Sequence, residues 1–139
     1  MNVTKPLLLG VDHCHLDVDN LSDAIIWYKD ILGFSIVPEL AFWDEGKGPL
    51  TLEDAAATTR IALFERQGRS KGIAFGATGE QFLAWLIHFD QHKIKTIIAD
   101  HGVTFSLYFK DNSDNNHEIT SHDYAFINTN IDSARLYTK

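Results

Sequence analysis

Two short stretches near opposite ends of the chain carry residue types that do chemistry. The first, Val-Asp-His-Cys-His-Leu-Asp-Val over residues 11–18, alternates in character. As an extended strand it sets His13, His15 and Asp17 on one face and Cys14, Leu16 and Val18 on the other. The second, Tyr-Phe-Lys-Asp-Asn-Ser-Asp-Asn-Asn-His-Glu-Ile-Thr over residues 108–120, passes through a polar turn into another strand. There Asn116, Glu118, Thr120 and His122 share a face, and His117 and Ile119 point the other way. An imidazole and a carboxylate held on rigid strands are donors for a divalent ion, which gives His13 and Glu118 as metal-ligand candidates. Proton transfer near neutrality calls for histidine or an assisted phenol, which singles out His122 and Tyr124.

The elements that must position these groups follow from periodicity. Leu8–Val18 reads as a strand with an apolar back. After it, Leu21, Ala24, Ile25, Tyr28, Ile31 and Leu32 recur at helical spacing, with Asn20 or Ser22 as N-cap and Gly33 as the stop. Phe34–Leu40 and Thr58–Arg66 are strand candidates, and Thr51–Glu53 is a short one between them. The scheme then starts again. Gly72–Ala77 is an apolar strand, and Thr78 with Gln81 forms a capping box for a helix carrying Phe82, Trp85, Leu86 and Phe89. Strands follow at Lys93–Ile98, Thr104–Lys110 and Asn116–His122.

The order strand, helix, strands thus occurs twice, at an offset of about 59 positions that lays His13 on Gly72. The His-x-x-Leu-x-Val run beginning at His13, and the hairpin with Tyr108, Phe109, Asp111, Asn115 and Glu118 in register, resemble the vicinal-oxygen-chelate superfamily. That superfamily includes glyoxalases, extradiol dioxygenases, fosfomycin-resistance enzymes and bleomycin-resistance proteins. The resemblance implies one α+β domain over residues 1–139, built of two βαβββ modules (about 9–66 and 71–122) that enclose an open half-barrel cavity, with a tail at 123–139. It implies metal ligation by His13 and Glu118. In the closing hairpin Asn112 and Asp114 stand where the family has Pro and Gly, and both residue types tolerate a left-handed turn.

One corner departs from the pattern. Where the family places a histidine at the head of the second module, this chain reads Gly72-Ile73-Ala74-Phe75, and no acid stands near residues 58–60. Three outcomes follow: His15 or His101 substitutes, water and a bidentate substrate complete a weakly held ion (Fe, Mn, Ni or Zn), or no metal binds. The first two fit metal-dependent chemistry on vicinal oxygens, for which the hairpin's sequence looks most like extradiol-dioxygenase relatives. The third fits a metal-free protein that sequesters or senses a small molecule. Gly72, Ala74 and Gly76 form a strip of small residues with room for a ligand, Arg60 or Arg66 offers an anion partner, and Trp43 is the tryptophan placed to reach a ligand.

Bulk properties narrow the partners further, beside the small molecule and second copy of the chain that the resemblance implies. A length of 139 residues with 45% hydrophobic content supports one sizeable core. A formal charge of −7 with no basic run argues against nucleic acid. No apolar stretch approaches a membrane span. The single cysteine, Cys14, excludes an internal disulfide and fits a reducing compartment, so the cytoplasm is the expected setting, and the resemblance implies a homodimer.

Overall fold

The computed structural model describes residues 5–43, 49–68 and 72–137. Each module makes one four-stranded sheet. β1 (Cys14–Val18), β2 (Ser35–Ile36), β3 (Leu50–Glu53) and β4 (Arg60–Glu65) lie in the order β1-β4-β3-β2. β5 (Ala74–Gly76), β6 (Ile97–Asp100), β7 (Phe105–Lys110) and β8 (Asn116–Ser121) repeat it as β5-β8-β7-β6. In both sheets the first strand runs parallel to the last, with Cys14 opposite Ile61 and Ala74 opposite Glu118. The helices α1 (Leu21–Trp27) and α2 (Gly79–Gln91) follow the first strand of each module, so the doubled βαβββ order is the observed architecture.

Alternation decides which face each sheet buries. Leu16, Val18, Leu52, Ile61 and Leu63 from the first sheet meet Phe105, Leu107, Phe109 and Ile119 from the second in one core, together with Leu21 and Ala24 of α1 and Phe82, Leu86 and Phe89 of α2. Each such side chain contributes about 1.5–3 kcal/mol when fully buried. The alternate positions are thereby turned to the helix-free faces: His15 and Asp17 on one sheet, Glu118 and Thr120 on the other.

Local chemistry sets the helix ends. The Asn20 side chain accepts from the Asp23 N–H at 2.9 Å, and Glu65 accepts from the Leu21 N–H at 3.0 Å, satisfying two otherwise orphaned donors of α1. Beyond Trp27 the helix widens into a π-helical turn over Tyr28–Leu32 and stops at Gly33, whose φ of 75° needs a glycine. The Thr78 hydroxyl accepts from the Gln81 N–H at 3.2 Å at the start of α2.

Several strands are shorter than their residue patterns predict, Gly72–Ala77 among them, which pairs only over Ala74–Gly76. The strand expected over Leu8–Val18 begins only at Cys14, because β4, which runs parallel to it, begins at Arg60 and offers no partner before that point. Of Phe34–Leu40, two residues pair; Pro38 then fixes φ and a 3₁₀ turn runs over Pro38–Trp43. Lys93 adopts a left-handed φ of 57° after α2, which delays β6 to Ile97. The tail is a helix, α3 (Tyr124–Tyr137), packed on α2; a Cβ at Gly79 would come within 2.7 Å of Phe126.

A polar cluster fastens the modules inside the core. The Tyr28 hydroxyl donates to Asp111 Oδ2 at 2.6 Å, and His117 Nε2 lies 2.8 Å from that hydroxyl. His117 Nδ1 accepts from the Ile73 N–H at 3.0 Å, so the ring's proton sits on Nε2 and is donated to Tyr28. Asp111 also accepts from the Ser113 and Asn115 N–H groups and from the Asn115 amide, each at 2.9 Å. Burial alone would push the Asp111 carboxyl up, but the His117 ring 3.6 Å away and the bonds from Tyr28 and Asn115 outweigh it and hold it below the usual carboxylate value. Burial and the Asp111 charge drive the Tyr28 phenol the other way, far above its ordinary value. His117, which its lack of any motif marks as a surface residue, is 1% exposed.

Candidate functional site

β1 and β5 are the edge strands of their sheets, and a cavity of about 620 Å³ lies between them. Residues 11–14 line one side and residues 73–77 the other, while Leu32, Phe34, Trp85 and Ile119 supply apolar surface. Polar groups enter from His13, Thr58, Thr59, Arg60, Thr78 and Gln81. The volume falls within the range of about 300–1,000 Å³ typical of small-molecule sites. A second concavity of about 650 Å³, lined by Trp27, Lys93, Lys95 and Tyr108 among others, holds none of the ligand-type residues picked out above.

His13 stands at the cavity's edge with 40% of its side chain exposed. Its Nδ1 is 2.8 Å from Asp12 Oδ2, and its Nε2 is 3.0 Å from His15 Nε2. The His15 ring meets Phe64 edge-on at 5.2 Å, which fixes its plane. Cys14, between the two histidines, turns inward and packs against the core.

Glu118 does face the helix-free side, as the alternation predicts. It sits beside Ala74 of β5 and Tyr108 of β7, and accepts from the Thr120 hydroxyl at 2.8 Å. It is not among the cavity-lining residues, although its strand neighbour Ala74 is. The other two candidates stand apart from these. His122 is exposed just past the end of β8. Tyr124 stacks on Phe105 at 5.0 Å and donates to Asp100 at 3.0 Å, on the side of the sheet that faces the core. The bond to Asp100 raises its phenol further, against a role in proton transfer near neutrality.

The strip of small residues behaves unevenly. Gly76 is open: a Cβ there meets nothing within 4 Å. Gly72, by contrast, has a φ of 92°, and a Cβ would fall 1.5 Å from the Asn116 carbonyl oxygen. The corner where the resemblance places a histidine is therefore filled by the backbone of the closing hairpin. The expected tolerance of the hairpin holds, since Asp114 adopts a left-handed φ of 63°.

The arginines are already engaged. Arg60 donates to Glu53 and Arg66 to Asp17, both at 2.6 Å, with Arg66 also lying over the Phe64 ring at 4.5 Å. His101 lies 3.4 Å from the Tyr108 hydroxyl. The Trp43 side chain and residues 44–48 lie outside the described residues. Trp85, whose place on the apolar stripe of α2 reads as pure packing, contacts Phe89 and also lines the cavity; periodicity alone gives no signal that separates these roles.

Metal ligation is tested by this donor geometry. The His13 and His15 rings are joined by a hydrogen bond between their Nε2 atoms, with the Asp12 carboxylate on the outer nitrogen of His13. A three-donor set does not form: among the described residues no group of three or more His, Cys, Asp or Glu side chains comes together to hold an ion.

A sequence model described as Glyoxalase/Bleomycin resistance protein/Dioxygenase superfamily matches residues 10–132. No curated protein matches the chain. Among solved structures, a glyoxalase family protein from Bacillus anthracis superposes with a TM-score of 0.69 at 14% identity, covering 86% of this chain and 99% of that one. Lactoylglutathione lyase from Agrobacterium tumefaciens gives 0.68 at 19% identity, covering 86% and 97%. A variant of the fosfomycin resistance protein FosX from Listeria monocytogenes, complexed with Mn(II) and 1S,2S-dihydroxypropylphosphonic acid, gives 0.66 at 17% identity, covering 86% and 97%. At these identities the structural likeness establishes the fold.

Proposed function

We propose a role for this chain within the superfamily it belongs to, the glyoxalase/bleomycin resistance protein/dioxygenase superfamily: it binds a small organic molecule in the cavity between β1 and β5. The observation that carries this reading is the cavity itself, a space of about 620 Å³ with an apolar wall of Leu32, Phe34, Phe75 and Trp85 and with His13 at its edge. An apolar wall with few polar groups suits a compact, partly aromatic molecule whose oxygen functions meet His13, Thr78 or Gln81.

The test uses the open position on β5. Gly76 lines the cavity and a Cβ there meets nothing within 4 Å, so Gly76→Leu is the substitution that takes up cavity space. Titration of the intrinsic tryptophan fluorescence, to which Trp85 at the cavity wall contributes, with catechols and 2-oxoaldehydes is expected to show saturable binding to the native chain, and a loss of about tenfold or more in Gly76→Leu, or ~1.4 kcal/mol. Equal affinity in the two proteins would place the ligand elsewhere and end this reading.

A second reading, metal-dependent chemistry of the extradiol-dioxygenase kind, is favoured by the His13–His15 contact and by the Glu118 hairpin. In it His13 and Glu118 would hold the ion, which would supply polarisation of substrate oxygens, and the Phe34 and Phe75 wall would orient the substrate. We place the protein in the cytoplasm as a homodimer. The free thiol of Cys14 supports the compartment, and the exposed apolar arm of Leu7, Leu8, Leu9 and Val11 supports the pairing. Light scattering that returns the single-chain mass at every concentration would remove the dimer.

A further inference from the structure

We propose that His13 and His15 act together as a two-nitrogen metal pincer on the edge strand β1, with Asp12 orienting His13 and with no donor drawn from β5. This rests on the reading that His13 serves the ligand site, but it replaces the His13–Glu118 set with a pair on one strand.

Distance is the first argument. The two Nε2 atoms are 3.0 Å apart. With metal–nitrogen bonds of about 2.0–2.1 Å, that separation subtends roughly 91–97° at the ion, near the cis angle of square-planar or octahedral coordination. A tetrahedral ion would need the nitrogens about 3.4 Å apart at the same bond length.

Orientation is the second. Asp12 lies 2.8 Å from His13 Nδ1, which keeps the proton on that nitrogen and leaves the Nε2 lone pair free. Without an ion, the His15 Nε2–H donates to His13 Nε2 across the 3.0 Å contact; an ion takes the place of that proton, with His15 then carrying its proton on Nδ1, where no hydrogen bond among the described residues opposes it. Phe64 holds the His15 ring from the side. Both histidines are exposed, so an ion reaches them from solution and keeps positions open for a second ligand.

The closed corner at Gly72 is the third. A side chain there would run into the Asn116 carbonyl, so the second module has no route to supply the family's histidine without moving its hairpin. The nitrogen donors on this side of the cavity are the two that β1 presents. Two imidazoles at a right angle favour Cu²⁺ and Ni²⁺ over Zn²⁺, with Mn²⁺ weakest.

The experiment is calorimetric titration of untagged, metal-stripped protein with Ni²⁺ near pH 7.5, in the native chain and in His13→Ala, His15→Ala, Asp12→Asn and Glu118→Gln, with circular dichroism confirming that each is folded. A parallel Cu²⁺ spin-resonance spectrum counts coordinated nitrogens. One ion per native chain is expected, with binding weakened more than about thirtyfold in either histidine variant, about tenfold in Asp12→Asn and less than twofold in Glu118→Gln. Cu²⁺ should show two equivalent nitrogens in the native chain and one in His15→Ala. If His15→Ala binds Ni²⁺ as the native chain does, or if Glu118→Gln loses as much as His13→Ala, the pincer is wrong; the latter result would instead support the His13–Glu118 set. No binding by the native chain also overturns the pincer, and leaves cavity binding to be judged separately by Gly76→Leu.

Discussion

Two histidine clusters in this molecule make opposite use of the same side chain. In the interior, His117 is bonded on both nitrogens, to the Ile73 N–H and the Tyr28 hydroxyl, and Asp111 beside it is ringed by donors. At the open edge, His13 and His15 bond to each other and to an exposed aspartate. The interior cluster has no free valence, so its work is to lock module one against module two. The edge pair has partners that water or a ligand replaces at little cost, so its work lies outside the fold.

Removing the centre of the interior cluster should give the largest effect. Asp111→Ala strands the Tyr28 hydroxyl, two backbone N–H groups and the Asn115 amide, so chemical denaturation is expected to show a loss of about 3–5 kcal/mol. A change below 1 kcal/mol would mean that the clasp does not hold the modules.

Acid should open the same cluster more gradually. The Asp111 carboxyl titrates below its ordinary value in the folded chain, so its contribution is complete above about pH 4 and fades as pH falls through the depressed value. Thermal unfolding of the native chain should therefore drop steeply below about pH 4. If Asp111→Asn, measured alongside, keeps the same acid slope, other carboxylates are responsible.

The edge pair should give the smallest stability effect and so sharpen the contrast. His13→Ala with His15→Ala is expected to move the unfolding free energy by no more than about 0.5 kcal/mol. A loss above 2 kcal/mol would make the pair structural and erase the distinction.

The two clusters were also unequally legible in the sequence. His13, Leu16 and Val18 announce themselves by spacing, and Glu118 follows from period-two alternation, because burial of a sheet face is a local rule. His117 follows the same alternation, which correctly turns it away from Glu118. Its burial against Tyr28 is invisible locally, since the two lie 89 residues apart and meet only after the modules dock. Asp111 and Asn115 were visible as hairpin residues, but the load they carry comes from α1. Gly72 misled for a related reason: a missing side chain looks like room until the strand opposite is known to cross that point. The tail gave no pattern strong enough to predict α3, which forms where α2 offers it a surface.

Gly72 also bears on how such a chain can change by descent. Where a lost histidine leaves an empty pocket, one codon change restores it. Here the Asn116 carbonyl has taken up the space, so a histidine at 72 arrives as a steric defect before it can act as a ligand. A donor at 72 therefore needs the Gly72 backbone or the 111–116 hairpin to be reshaped first, and the same hairpin carries the clasp at Asp111 that holds the modules together. Adding that donor would thus draw on the fold's own stability.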